Sequence, residues 1–202
     1  MPNLKIPSRR KERDYAFIIQ GVNFGDDASV VARKILGMTL LIDGVGGTIV
    51  ETEAYDEEEP ASHAFRGHKP HNAALFGPPG HAYVYLSYGI HWCLNFVCRE
   101  EGHGAGVLIR ALEPTAGISQ MIERRSQHVT RLLCSGPGRL GQALGVTRAL
   151  DGKRIDAPPF ELLPAKKSSR VVTGKRIGIS KAIERRWRFG LAGSKFHSLP
   201  FR

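Results

Sequence analysis

Apolar and polar positions alternate along residues 48–55, which predicts a strand. Ile49, Glu51, Glu53 and Tyr55 fall on one face, and Val50, Thr52 and Ala54 on the other. Residues 38–42, 82–88, 90–97 and 107–112 have the same strand-like character. The glycine-rich stretch 44–47 predicts a turn between the first two strands, and Gly89 a reversal between 82–88 and 90–97. Acidic residues opening 26–37 and Gly37 closing it predict a short helix. Pro114 suits the first turn of a helix reaching residue 125. A turn at 135–138 precedes a helix over 139–144, residues 175–180 predict a last strand, and Ser180 is placed to cap a basic helix through 187. Residues 56–79 are polar, punctuated by Pro and Gly and without period, and a segment of that kind in a compact domain is usually functional.

Composition narrows the class. The 202 residues, with 42% hydrophobic and 24% charged side chains, fit one globular domain, expected over residues 15–202 behind a basic, flexible arm at 1–14. No apolar run approaches the roughly 18 residues that span a bilayer, and the first residues lack the apolar stretch of a signal peptide. The three cysteines leave one unpaired, which argues against a disulfide framework and for a reducing cytoplasm. The formal charge of +10 is unevenly placed: residues 164–202 hold eleven Lys or Arg against the single acid Glu184, while the preceding residues balance. Such an asymmetry fits either a polyanionic partner, favoured by counterion release, or a solvated basic tail.

Candidate chemistry gathers on the strands. Two carboxylates and a tyrosine on one face of 48–55 are costly if that face is core, so they either meet water or mark a site. Tyr83 and Tyr85 share a strand face, and Tyr88 stands beside the Gly89 reversal, where a large aromatic ring buries poorly in its own domain. Asn95 lies among apolar neighbours and must be hydrogen-bonded, either internally or to a base edge. These are parts that an enzyme acting on a duplex base requires: rings to stack the extruded base, a wedge, an amide to read its edge, and a carboxylate to activate water against an oxocarbenium-like sugar. A packed, tyrosine-rich hairpin uses the same residues.

Five runs, IVETEAY (49–55), YVYLSYG (83–89), VLIRALEP (107–114), LCSGPGRL (133–140) and RIGI (176–179), occur in an order and spacing that resembles the alkyladenine (3-methyladenine) DNA glycosylase family. The likeness runs from about Val22 to the C-terminus and is similar to bacterial members, which lack a long N-terminal extension. It implies a mixed α/β (α+β) fold: a single domain with a curved, mainly antiparallel sheet or open barrel surrounded by helices. It implies Glu53 as the general base, with Glu51 structural, and Arg110 as the arginine that orders the water and a neighbouring phosphate. Tyr55, His63 and Tyr85 match the residues that sandwich the flipped base, Tyr88 the intercalating wedge, Asn95 the amide opposing the guanine amino group, and Ile179 the pocket wall. The Glu53–His63 spacing is one residue shorter than in the animal enzymes, and the chain diverges after Ile179, so Trp187 and Phe189 receive no pocket role.

The function implied is base excision repair. A monofunctional glycosylase would hydrolyse an alkylated or deaminated purine from double-stranded DNA and leave an abasic site, acting as a cytoplasmic, nucleoid-associated monomer without cofactor or metal. The spacing of Cys93 and Cys98 with His91 and His103 lacks the paired pattern of a zinc site. A lyase using Pro2 as amine is disfavoured by its place in the arm. A sugar hydrolase using Glu51 and Glu53, roughly 7 Å apart by strand rise, is disfavoured by the basic charge. A non-catalytic nucleic-acid-binding module is the alternative, because stacking tyrosines and a basic end serve it equally well.

Overall fold

Residues 17–166 and 170–201 are described by the computed structural model, and the basic arm expected over residues 1–14 lies outside them. A small hairpin of β1 (Ile18–Ile19) and β2 (Val22–Asn23) leads into helix α1 (Ala28–Lys34). Strand β3 (Thr39–Ile42) then turns into the long β4 (Val45–Asp56). After a 3-10 helix at Pro70–Phe76 come β5 (Ala82–Ser87), β6 (His91–Val97) and the long β7 (Ala105–Ala116). Helices α2 (Ile118–Arg125) and α3 (Pro137–Leu144) follow, then β8 (Phe160–Leu163), β9 (Val171–Gly174) and β10 (Arg188–Leu191).

Strands β3 to β10 form one antiparallel sheet in the order β5-β6-β7-β4-β10-β9, with β3 joining β4 to β8. This is the mixed fold and antiparallel sheet expected from the sequence. Helix α1 covers one face: Val31 and Ala32 are buried, and Thr52 Oγ1 donates to the Ala32 carbonyl at 2.9 Å. Ile35, Leu40, Ile49, Phe96, Ile109, Leu112 and Phe189 are fully buried in the core beneath it. Among the described residues no helix is long and apolar enough to cross a membrane.

Strand β4 does not alternate as simply as its sequence suggests. Ile49 pairs with Leu112, Glu51 with Ala111 and Thr52 with Ile109, so Val50 is an extra residue on β4 and Arg110 an extra residue on β7. Ile49 therefore joins the same core as Ala54 instead of sharing the face of Glu51 and Glu53. A bulge on each strand changes the phase of side chains and sharpens the local twist. Here the paired bulges turn Arg110 towards the two glutamates.

Other boundaries also moved. The turn into β4 is at Asp43–Gly44, whose φ values of 49° and 77° suit a tight hairpin. Gly46 and Gly47 are inside the strand, where a Cβ would lie 1.9 Å from the Leu40 carbonyl oxygen and 2.0 Å from that of Glu113. Pro114 stays in β7 opposite Gly47, and the helix expected from it begins only at Ile118. Helix α3 starts two residues earlier than expected, with Pro137 in its first turn. The strand expected at 175–180 lies instead at Val171–Gly174, and no helix forms over 180–187. There the chain bends into β10, whose Arg188 and Gly190 pair with Glu53 and Glu51.

Candidate active site

A cavity of about 530 Å³ opens between β4, the hairpin β5–β6, the 61–63 loop and residues 177–179. That volume lies within the roughly 300–1,000 Å³ of small-ligand sites. Tyr55, His63, Tyr85, Tyr88, Asn95, Arg110 and Ile179, all singled out from the sequence, line it. Glu53 stands immediately behind the wall, fully buried and hydrogen-bonded to two of the lining side chains.

Each Glu53 oxygen is held from a different element. Oε2 accepts from Tyr55 Oη at 2.9 Å and from Arg110 Nη1 at 3.0 Å. Oε1 accepts from the Ile177 backbone N–H at 2.7 Å. Burial pushes the Glu53 carboxyl above the usual carboxylate range, and Arg110, the Ile177 N–H and Tyr55 only partly offset it. Glu51 is the opposite case. Its burial also acts upward, but Arg110, the Ser198 N–H and Arg188 outweigh it and hold the carboxyl low. Arg110 Nε and Arg188 Nε both donate to Glu51 Oε1, at 2.9 and 2.7 Å. Two neighbouring carboxylates are thus driven apart: one is a fixed anion, and the other is a more basic group at the edge of a cavity. Such divergence between paired acids is a mark of functional sites.

The stacking side chains are placed by β5 and by a closed loop. Tyr83 and Tyr85 project from one face of β5 with centroids 5.6 Å apart. His63 meets Tyr85 edge-to-face at 4.4 Å, and its Nδ1 lies 3.1 Å from Tyr83 Oη. The loop carrying His63 is closed by Asn72, whose Nδ2 donates to the carbonyls of His63 and Gly67 and whose Oδ1 accepts from the Lys69 N–H. One buried amide thereby fixes a polar segment that lacks sequence periodicity. Burial, reinforced by nearby His71, lowers the His63 pKa and favours a neutral ring. Asn95 on β6 donates to the Tyr83 carbonyl at 3.1 Å, which holds its amide in the pocket wall.

At the mouth of the cavity, Tyr88 and Gly89 have φ values of 51° and 70°, and Ile90 N–H bonds the Ser87 carbonyl across the reversal. Tyr88 is 88% exposed, and Leu86 and Ile90 beside it are also exposed, so the hairpin presents an apolar tip with no partner in its own fold. Cys93 lines the same cavity with its thiol pKa raised by burial. Among the described residues no group of three or more His, Cys, Asp or Glu is arranged to hold a metal ion.

Three contributors escaped the sequence reading. Ile177 acts through a backbone N–H, for which there is no side-chain signature. Arg176 is fully buried in a bidentate pair with Glu59, donates to the Ala54 carbonyl, and lies 4.7 Å from the Tyr55 ring centroid. Ser198 reaches Glu51 from the far end of the chain. Arg176 and Ile177 had only their place in the run 176–179 as a signal, and Ser198 had none.

The family model described as methylpurine-DNA glycosylase matches residues 22–195. A protein of Nitrosospira multiformis is 60% identical over 181 residues, covering 90% of this chain and 94% of its own length. One from Nitrobacter winogradskyi is 58% identical over 179 residues, covering 89% and 86% of the two chains. A third, from Rhodopseudomonas palustris, is 57% identical over 178 residues, covering 88% and 89%. Each of the three is provisionally named a 3-methyladenine DNA glycosylase.

Proposed function

The chain belongs to the methylpurine-DNA glycosylase family, a family of DNA-repair glycosylases, and from that premise we propose that Glu53 is the general base that removes alkylated or deaminated purines from duplex DNA. The observation that carries this reading is the contrast between the two buried carboxylates, in which the one bonded to two cavity-lining side chains, Tyr55 and Arg110, is the more basic. A carboxylate oxygen accepts about two hydrogen bonds. Both sites on Glu53 Oε2 are taken by Tyr55 and Arg110, while Oε1 holds only the Ile177 N–H and keeps one site for a water proton.

The reaction then runs as a hydrolysis. Glu53 takes a proton from water as the water oxygen bonds to the sugar C1′. The C1′–N bond breaks, and its electron pair leaves with the purine. The carboxylate also stabilises the positive charge that builds on the sugar. Arg110 stays bonded to Glu53 and, from the cavity wall, helps to order the attacking water. Tyr55, Tyr85 and His63 flank the extruded base, and electron-rich rings favour the positive charge of an alkylated purine. With Tyr83 Oη donating to His63 Nδ1, the imidazole proton sits on Nε2 and faces the sugar–phosphate. Asn95 opposes the guanine amino group, Ile179 closes the wall, and Tyr88 fills the gap left in the stack.

No amine nucleophile is used, so the product is an intact abasic strand. The enzyme works on DNA as a monomer in the cytoplasm, and its three free thiols suit a reducing compartment. The basic residues among 1–14 add positive charge that attracts the duplex. Single-turnover excision from a duplex carrying one hypoxanthine or ethenoadenine, or from methylated DNA, tests the reading. Wild type should leave sites that break only in hot alkali, and Glu53→Gln should bind the duplex and leave none. An active Glu53→Gln would remove the base assignment.

A further inference from the structure

The matched family span stops at residue 195, yet the chain beyond it closes on the ion pairs behind the cavity. Ser198 N–H donates to Glu51 Oε2 at 2.5 Å, and Ser198 Oγ donates to Glu51 Oε1 at 2.7 Å. The same Oγ accepts from Arg110 Nη2 at 3.3 Å. One tail residue therefore touches both Glu51 and the guanidinium that reaches Glu53.

The tail is anchored independently of that serine. Arg188 donates to the carbonyls of Leu199 and Pro200, and its guanidinium lies 3.9 Å from the Phe201 ring centroid. Phe201 fills the space that Gly174 and Gly190 leave: a Cβ on Gly190 would come within 2.5 Å of its ring. Removing the Ser198 hydroxyl leaves these anchors in place and alters only what Glu51 and Arg110 meet.

We propose that Ser198 is a positioning residue of the glycosylase, fixing Glu51 and Arg110 so that Arg110 Nη1 is held against Glu53. The inference rests on the reading of Glu53 as the base. Arg110 is shared among three acceptors, Glu51, Glu53 and Ser198, and a planar guanidinium satisfies them together only at one tilt. Without Ser198 Oγ the Nη2 edge loses its acceptor and Glu51 loses a donor. The guanidinium then turns towards its remaining partners, and the Glu53 carboxylate loses its orientation.

The test is the release of methylated purines from alkylated duplex DNA at saturating enzyme, measured with pH, alongside duplex affinity and thermal melting. Ser198→Ala should bind duplex DNA like wild type and melt with it, while the rate falls on the order of tenfold. Its acid limb should move to higher pH, because the turned Arg110 no longer favours the Glu53 carboxylate as strongly. The other groups facing Glu51 are Arg110 from β7, Arg188 from β10, Glu53 along β4 and His197 from the tail; the substitution removes none of them, and of these only Arg110 bonds the lost hydroxyl. Ser198→Thr restores the hydroxyl and should recover most of the rate. An unchanged rate and pH profile in Ser198→Ala overturns the proposal. So does a loss that follows melting temperature and affinity and is not recovered by Thr. Glu53→Gln, run in parallel, reads the base separately: its retained activity removes the base and the positioning role with it, whereas an inactive Glu53→Gln beside an unchanged Ser198→Ala removes the positioning role alone.

Discussion

Tyr55 Oη lies 2.9 Å from Glu53 Oε2, the phenol donating to a carboxylate two residues back along the same strand. Burial raises the Tyr55 pKa, and Glu53 adds to the rise, so the phenol remains a donor throughout the working range. The bond favours the Glu53 carboxylate over its acid. Tyr55→Phe removes the donor while keeping the ring, so the Glu53 carboxyl should rise further. The acid limb of the excision rate then moves to higher pH, and the plateau falls by no more than roughly tenfold. A profile superimposable on wild type would separate the phenol from the base.

Tyr88 contributes little to folding and is expected to contribute much to turnover on duplex DNA. Its side chain is 88% exposed, and its backbone sits at a φ of 51°, which glycine adopts without penalty. Tyr88→Gly should leave stability within about 1 kcal/mol of wild type, with any change upward. Excision from duplex DNA should fall far more than excision from the same lesion in a single strand, where no stack has to be filled. Comparing the two substrates at equal enzyme decides this, and an equal loss on both would make Tyr88 a pocket residue instead of a wedge.

Glu51 supports the site through stability. It accepts from Arg110, Arg188 and Ser198 while fully buried, so Glu51→Gln leaves two guanidiniums undercompensated. Breaking a buried pair of this kind costs about 3–5 kcal/mol. The folded-state carboxyl is held below its unfolded value, so its contribution is complete above the ordinary carboxylate range and is lost as pH falls through the folded value. Denaturant melts at neutral and acid pH should therefore show a gap between wild type and Glu51→Gln that narrows with acidification.

The difference between local and long-range information explains what the sequence could reveal. The lining side chains were legible because they lie on strands whose period places Tyr83 with Tyr85 and Glu53 with Tyr55. The face of Ile49 was misassigned because a pair of bulges shifts phase there, and pairing between residues about sixty positions apart leaves no mark on either strand alone. Pro114 looked like a helix start because it satisfies the local rule for one. The opposing Gly47 lets the strands approach closely enough to carry β7 past it. The bonds from Ile177 and Ser198 span 124 and 147 positions, and two of the three use backbone N–H groups, which every non-proline residue possesses.

The basic excess over residues 164–202 is smaller on the surface than in the sequence. Arg176 and Arg188 are buried against Glu59 and Glu51, so neither is free to neutralise a phosphate. Lys175 and Lys181 are exposed and bracket the 177–179 segment that lines the cavity, which puts both at its rim. Each phosphate neutralised releases condensed counterions, so log affinity falls with log salt by about 0.9 per contact on duplex DNA. Lys175→Ala and Lys181→Ala should each weaken binding to damaged and undamaged duplexes alike, and each should lower that slope by about one contact. The single-turnover rate at saturating enzyme should hold, because neither lysine is hydrogen-bonded to Glu53, Arg110 or Ser198. Anisotropy titrations across a salt series measure the slope directly. An unchanged slope in both variants would shift the phosphate contacts away from this rim. The exposed bases on either side of it, Arg170 and Lys195, would then be the next to replace.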